Sequence, residues 1–93
     1  MIMPKYVIES EIPGVGKLST EELRAAAQHS SSVLNEMGPQ IQWVQSFVTA
    51  DKIYAIYIAF DERMVLEYVR QAGLSANRVA EVRAVIDPTM AEG

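Results

Sequence analysis

The sequence contains no cysteine, and this absence excludes disulfide bonds, thiolate metal sites and thiol nucleophiles. It has a single histidine, His29, so one chain supplies neither a histidine-based triad nor a site with several histidine ligands. Basic residues number 8 against 12 acidic ones, and the net charge of -4 argues against a nucleic-acid partner. No apolar run approaches the ~20 residues that span a bilayer, and no signal-peptide pattern is visible. We therefore expect a cytoplasmic protein without a membrane partner.

The length of 93 residues predicts one domain over residues 1–93, with no room for a second core. The hydrophobic share of 49% and the charged share of 22% are typical of a globular protein and not of a disordered one. A chain this short buries only ~60–65% of its unfolded surface, so a partner subunit would add substantially to the buried area.

Two segments have apolar residues at helical spacing between recognisable caps. Ser19 and Glu22 form a capping-box pattern at the start of the first helix, and Gly38 ends it. Asp61 is the predicted cap of the second helix, which Gly73 closes. Each boundary is thus marked by its own local signal.

Four other segments alternate or are rich in β-branched and aromatic residues, which predicts strands over residues 5–12, 41–49, 53–60 and 78–87. The second and third are separated by three residues, so a hairpin joins them. The order strand, helix, strand, strand, helix, strand predicts an α+β, ferredoxin-like sandwich: a four-stranded antiparallel sheet with two helices on one face.

Two helices cover only one face of such a sheet. The charged residues of the first and last strands indicate which of their faces is outside. The side chains predicted to lie under the helices are Tyr6, Ile8, Val44, Val48, Ile56, Ile58, Phe60, Val82, Ala84 and Ile86. Those predicted on the uncovered face are Val7, Glu9, Trp43, Gln45, Phe47, Ala55, Tyr57, Ala59, Glu81, Arg83 and Val85.

Three aromatic side chains on an uncovered face rival the ~300–600 Å² of the largest apolar patch on a typical monomer. We therefore expect a two-fold homodimer in which a second copy packs its sheet against this face. The alternative is that these side chains form a tolerated exposed surface.

Few residues have the chemistry of a site. Glu9 and Glu11 point to the same face and either bind a hard cation or form a salt bridge with Arg83. His29, beside the apolar stripe of its helix, is either structural or one metal ligand completed by these carboxylates. No nucleophile with an adjacent base is evident, so an enzyme is the less favoured class.

A second type of site is a mostly apolar pocket between the sheets of a dimeric barrel. It would hold a small organic ligand or house an isomerase- or monooxygenase-like activity. Its predicted lining is Trp43, Phe47 and Tyr57 with Glu9, Gln45 and Arg83. A third possibility is a structural module without a ligand, whose outer face is wholly buried in the dimer interface.

Four stretches, KYVIESEIPG, LNEMGP, IQWVQSFVTADKIYAIYIA and GLSANRVAEVRAVIDPT, cover much of the chain. Together they resemble the small bacterial nickel-binding proteins. The resemblance implies a ferredoxin-like homodimer that binds a divalent metal, nickel, through nitrogen and oxygen ligands. It also implies that the positions of Gln45, Ala55 and Tyr68 often hold stronger ligands, which this chain has replaced. Imidazole is the usual ligand for nickel, whereas carboxylates suit harder ions, so the remaining candidates for a metal are His29, Glu9 and Glu11.

Overall fold

A computed structural model describes residues 3–92, and its elements follow the predicted order. The strands are β1 (Lys5–Glu11), β2 (Ile41–Val48), β3 (Lys52–Ala59) and β4 (Arg78–Glu81), and the helices are α1 (Thr20–Met37), α2 (Glu62–Ala72) and a short α3 (Pro88–Glu92). The strands form one antiparallel sheet in the order β2-β3-β1-β4. The prediction of a ferredoxin-like α+β fold is confirmed.

The predicted caps define the ends of both long helices. The Ser19 hydroxyl accepts a hydrogen bond from the Glu22 amide at 3.1 Å, and the Glu22 carboxylate accepts one from the Ser19 amide at 3.0 Å. Asp61 accepts from the Met64 amide at 3.0 Å at the start of α2. Gly73 ends α2 in the left-handed conformation, with φ of 70°, which glycine adopts without steric cost.

One core holds the two helices against the same face of the sheet. Leu34 of α1 lies in a single buried cluster with α2 and the strands. The members of this cluster are Tyr6, Ile8, Leu34, Ile41, Ala55, Tyr57, Ala59, Val65, Tyr68 and Ala72. The helices therefore leave the other side of the sheet, here called the outer face, without a helical layer.

The strand β3 places the opposite set of side chains under the helices from the set we predicted. Tyr57 lies opposite Tyr6 and Ala55 lies opposite Ile8, and directly paired residues share a face. Ala55, Tyr57 and Ala59 are consequently buried, with Ala59 completely so. The predicted burial of Ile56, Ile58 and Phe60 is wrong, because both alternating sets of this strand are mainly apolar and the pairing with β1 turns the set that contains Tyr57 toward the helices.

A bulge changes the direction of the side chains midway along β2. Trp43 pairs with Tyr57, but the next paired residue is Gln45 opposite Ile56, so Val44 is the extra residue of the bulge. Trp43 therefore faces the helices and packs against the core, whereas the prediction put it outside. Val44, predicted to be buried, is 48% exposed.

The strand β4 is shorter than the predicted residues 78–87. It pairs with β1 only from Arg78 to Glu81, and the Val82 amide donates to the Lys5 carbonyl at 2.7 Å. Because β1 begins at Lys5, the residues after Val82 have no neighbouring strand in the described part of the chain. Val82, Ala84 and Ile86 thus do not lie under the helices as strand residues, and Glu81 lies on the helix side, opposite Tyr6.

A tight turn after β1 joins this strand to the hairpin between β2 and β3. The Ile12 amide donates to the Asp51 carbonyl at 2.8 Å, and the Gly16 amide donates to the Ala50 carbonyl at 3.0 Å. A Cβ atom on Gly16 would lie 2.8 Å from both the Ala50 Cα and the Thr49 carbonyl oxygen. The two backbones approach so closely that only glycine fits there.

We expect Gly16→Ala to lower the free energy of unfolding by about 1–3 kcal/mol, because the methyl group would push two backbones apart. Urea denaturation monitored by circular dichroism measures the change. Lys17→Ala, on the exposed neighbouring residue, is the control and should stay within about 0.5 kcal/mol of the parent. Equal stability of the two variants would contradict the close approach at Gly16.

Candidate functional site on the outer face

The outer face carries an apolar centre with polar groups around it. Val7 pairs with Ile56 at this centre, and Tyr54 lies between Phe47 and Glu9. The full set is Lys5, Val7, Glu9 and Glu11 of β1, Gln42, Val44, Gln45 and Phe47 of β2, Lys52, Tyr54, Ile56 and Ile58 of β3, and Arg78 and Ala80 of β4. The predicted apolar outer face is therefore present, but several of its members differ from those we predicted.

Two of its apolar side chains are largely in solvent. Phe47 is 51% exposed and Val44 is 48% exposed. Fully burying a valine, isoleucine or phenylalanine side chain is favourable by about 1.5–3 kcal/mol of free energy. Covering this face with another apolar surface would therefore be favourable.

Two carboxylates on the outer face share one lysine. The Lys52 ammonium lies 3.0 Å from a carboxylate oxygen of Glu9 and 3.9 Å from one of Glu11. The hydrogen bond to Glu9, together with the charges of both glutamates, raises the pKa of Lys52. The expected pairing of these acids with Arg83 is wrong, because Arg83 follows the end of β4 and β3 supplies the cation instead.

Tyr57 and Tyr68 form a polar contact inside the core. The Tyr57 hydroxyl donates to the Tyr68 hydroxyl at 3.0 Å, and the ring centroids are 5.0 Å apart. Both residues are almost completely buried, with 2% and 0% of their surface exposed. Burial, together with the bond to Tyr68, raises the pKa of Tyr57 well above its usual value. Tyr57 therefore does not line an outer pocket, as the sequence suggested.

His29 lies in the helix layer. Its Nε2 atom is 3.0 Å from the Ala72 carbonyl oxygen, so in the tautomer with hydrogen on Nε2 it donates to the last turn of α2. Glu9 and Glu11 lie on the other side of the sheet. Ligands of one ion lie within about 2–2.6 Å of it, so the fold does not bring His29 to these glutamates. Within residues 3–92, no three histidine, aspartate or glutamate side chains are grouped to hold a metal.

The other predicted pocket residues are also separated. Glu9 and Gln45 lie on the outer face, Trp43 faces the helices and donates its indole hydrogen to Ser46 at 2.9 Å, and Arg83 is exposed beyond β4. Sequence reasoning preferred Tyr57 to Tyr54 as a ligand contact and missed Lys52, whereas Tyr54 and Lys52 flank Glu9 on the same face. The signal that would have found them is the strand pairing, which places Glu9 opposite Tyr54 and Glu11 opposite Lys52.

The fold and this face define a ferredoxin-like α+β protein whose uncovered sheet surface has an apolar centre bordered by polar groups. Residues 6–82 match the family of nickel responsive proteins described as SCO4226-like, and the chain belongs to that family. A similar solved structure is the crystal structure of SCO4226 from Streptomyces coelicolor A3(2), with a TM-score of 0.73 and 16% sequence identity. The likeness covers 88% of this chain and 99% of that chain, and it shows the shared fold. The comparison with curated proteins gave no match.

The nickel that the family name implies does not fit the residues brought together here. Two of the positions at which the resemblance implies stronger ligands, Ala55 and Tyr68, lie in the apolar core. Tyr68 is hydrogen-bonded to Tyr57 there, and the third position, Gln45, is exposed on the opposite side of the sheet.

None of the helices within residues 3–92 combines the length and hydropathy required to span a bilayer.

We expect the stability of the protein to fall as the pH rises above 10. An unfolded tyrosine loses its proton near pH 10, whereas Tyr57 keeps it in the folded chain because burial raises its pKa. The folded state then binds one more proton than the unfolded state, which lowers the free energy of unfolding by up to about 1.4 kcal/mol per pH unit. Urea denaturation between pH 8 and 12 should give a shallower decline for Tyr57→Phe than for the parent. Parallel declines would show that Tyr57 does not contribute.

Proposed function

We propose that the protein is a homodimeric binding protein of the nickel responsive family and that two copies pack their outer faces together. The observation that supports this most is the apolar centre formed by Val44, Phe47, Ile56 and Val7. A two-fold axis would bring the same face of a second copy against it, so each apolar side chain would be buried once in each copy. The fully buried core of an interface is typically more apolar than the remaining surface, and the apolar centre of this face would form that core.

The polar groups on the outer face give such a dimer a place for a ligand. Glu9, Lys52, Gln45 and the Tyr54 hydroxyl group border the apolar centre. Between two sheets they would line a mostly apolar space with a few polar groups, which is the usual character of a small-molecule site. Such a site would keep Phe47, Gln45 and Glu9 from the organic-ligand pocket expected from the sequence. Tyr54 would take the place of Tyr57, and Trp43 and Arg83 would not take part.

The dimer is tested by sedimentation velocity over a concentration range. We expect the parent to be dimeric at micromolar concentration and Phe47→Glu to be monomeric, because the substitution would place a charge in the apolar centre of the interface. Leu66→Glu is the matched control, since Leu66 of α2 is 48% exposed, close to the 51% of Phe47. It should leave the dimer intact. A monomeric parent, or equal effects of the two substitutions, would overturn the proposal.

A second candidate function, supported by the two carboxylates beside Lys52, is weak binding of a divalent cation by Glu9 and Glu11. Both carboxylates lie near one positive charge, the Lys52 ammonium, at 3.0 and 3.9 Å, and a divalent cation would have to displace this ammonium group. Two carboxylates without imidazole or thiolate form a hard, oxygen-only donor set, which holds nickel less well than nitrogen ligands do. His29, on the other side of the sheet, takes no part.

Titration calorimetry with nickel on chelator-treated protein tests this candidate. We expect a dissociation constant weaker than ~100 μM, which corresponds to about 5.5 kcal/mol. The double variant Glu9→Gln/Glu11→Gln should abolish the heat of binding, and His29→Ala should leave it unchanged. Tight binding that depends on His29, or no binding by the parent, would reject the carboxylate site.

A further inference from the structure

Arg78 is a cation of the outer face that no carboxylate neutralises in the described chain. It begins β4 and lies opposite Glu9 of β1, so the two side chains share the outer face. The Glu9 carboxylate is bound from the other side, by the Lys52 ammonium at 3.0 Å. The salt bridges within residues 3–92 are those of Lys52 with Glu9 and Glu11 and that of Arg70 with Glu67. The exposed Arg78 guanidinium is therefore left for a group from outside this chain.

The charge of the outer face is opposite in sign to that of the whole chain. The charged side chains among its paired residues are Lys5, Lys52, Arg78, Glu9 and Glu11. Three cations against two carboxylates leave one positive charge in excess, whereas the chain as a whole has a net charge of -4. Two faces brought together by a two-fold axis would double that excess in the space between them. A negatively charged ligand is therefore favoured there over a positively charged one.

The apolar centre of the outer face begins next to Arg78. Val7 lies diagonally across from Arg78, about 7–8 Å away, and Ile56 is paired with Val7 on its far side. Directly paired residues also form a row across all four strands, in the order Arg78, Glu9, Tyr54 and Phe47. With strands ~4.8 Å apart, this row extends over about 14 Å. A ligand held at Arg78 by an anionic group therefore has apolar surface within reach of its remaining atoms.

We propose that the ligand held between the two outer faces is an organic acid with an apolar body, and that its carboxylate binds Arg78. The inference rests on the dimer and the ligand site proposed above. The planar guanidinium group matches the two oxygens of a carboxylate, whereas the ammonium group of Lys5 is a point charge without that fork. Because β4 is an edge strand, the carboxylate lies at the rim of the interface. The apolar body then covers Val7 and Ile56 and extends toward Phe47.

Titration calorimetry with octanoate and octanamide tests the proposal, because the two probes share an apolar chain and differ in charge. We expect the parent to bind the acid about tenfold more tightly than the amide, and Arg78→Gln to lose this preference. Arg63→Gln is the matched control, since Arg63 is an exposed arginine of α2, in the helix layer, and should keep the preference. Circular dichroism and sedimentation velocity check that both variants are folded and dimeric, as the exposure of the two side chains favours.

Glu9→Gln provides a readout of opposite sign. It removes the negative charge between Arg78 and Lys52, so octanoate should bind roughly threefold more tightly while octanamide is unaffected. A dimeric parent that binds neither probe, or binds both equally, would overturn the organic acid and leave the dimer standing. The same conclusion would follow from a preference that Arg78→Gln leaves unchanged, or that Arg63→Gln reduces as much. A parent that is monomeric at all concentrations would overturn both the dimer and the site between its faces.

Discussion

The pairing of Tyr6 with Tyr57 at the centre of the sheet is the constraint on which the rest of the structure depends. Side chains alternate along a strand, so this single pair decides that Ala55 and Ala59 lie inside and that Ile56 and Ile58 lie outside. The hydroxyl of Tyr57 reinforces the choice, because a buried phenol needs a partner and Tyr68 of α2 supplies it. A slip of one residue would expose that phenol and place isoleucine against the helices.

This arrangement distributes side-chain volume in a way that suits an assembly. The central strand gives two alanines to the helix side, where they allow helices and sheet to approach closely, and two isoleucines to the outer face. A monomer gains little from branched apolar residues on a solvent-facing sheet, whereas an antiparallel sheet in a single chain normally keeps polar residues there. The volume on the outer face therefore favours a second layer that one chain does not supply.

The sequence was sufficient for the order of the four strands and the two long helices, and insufficient for the faces of the strands and the end of β4. Caps such as Ser19 with Glu22, and Asp61, act within three residues, so helix boundaries were readable locally. The sequence did not predict which side chains of β3 face the helices, because both alternating sets are mainly apolar. The deciding contact joins Tyr57 to a residue of another element. The bulge at Val44 and the early end of β4 have the same origin: each depends on how a neighbouring strand pairs, which no local pattern encodes.

The same topology limits where a metal site can form. His29 points from α1 toward the end of α2, and the carboxylates of Glu9 and Glu11 project from the opposite side of the sheet. No change of side-chain rotamer carries a ligand through a packed sheet, so the sole imidazole and the nearest pair of acids cannot share an ion within one chain. Any stronger donor set that includes Glu9 and Glu11 has to be completed from the solvent side of the outer face, where a second copy would approach. If two copies pack their outer faces as proposed, dimerisation and metal binding at these acids would be coupled, because the surface that would cover Phe47 is also the one that would complete the site.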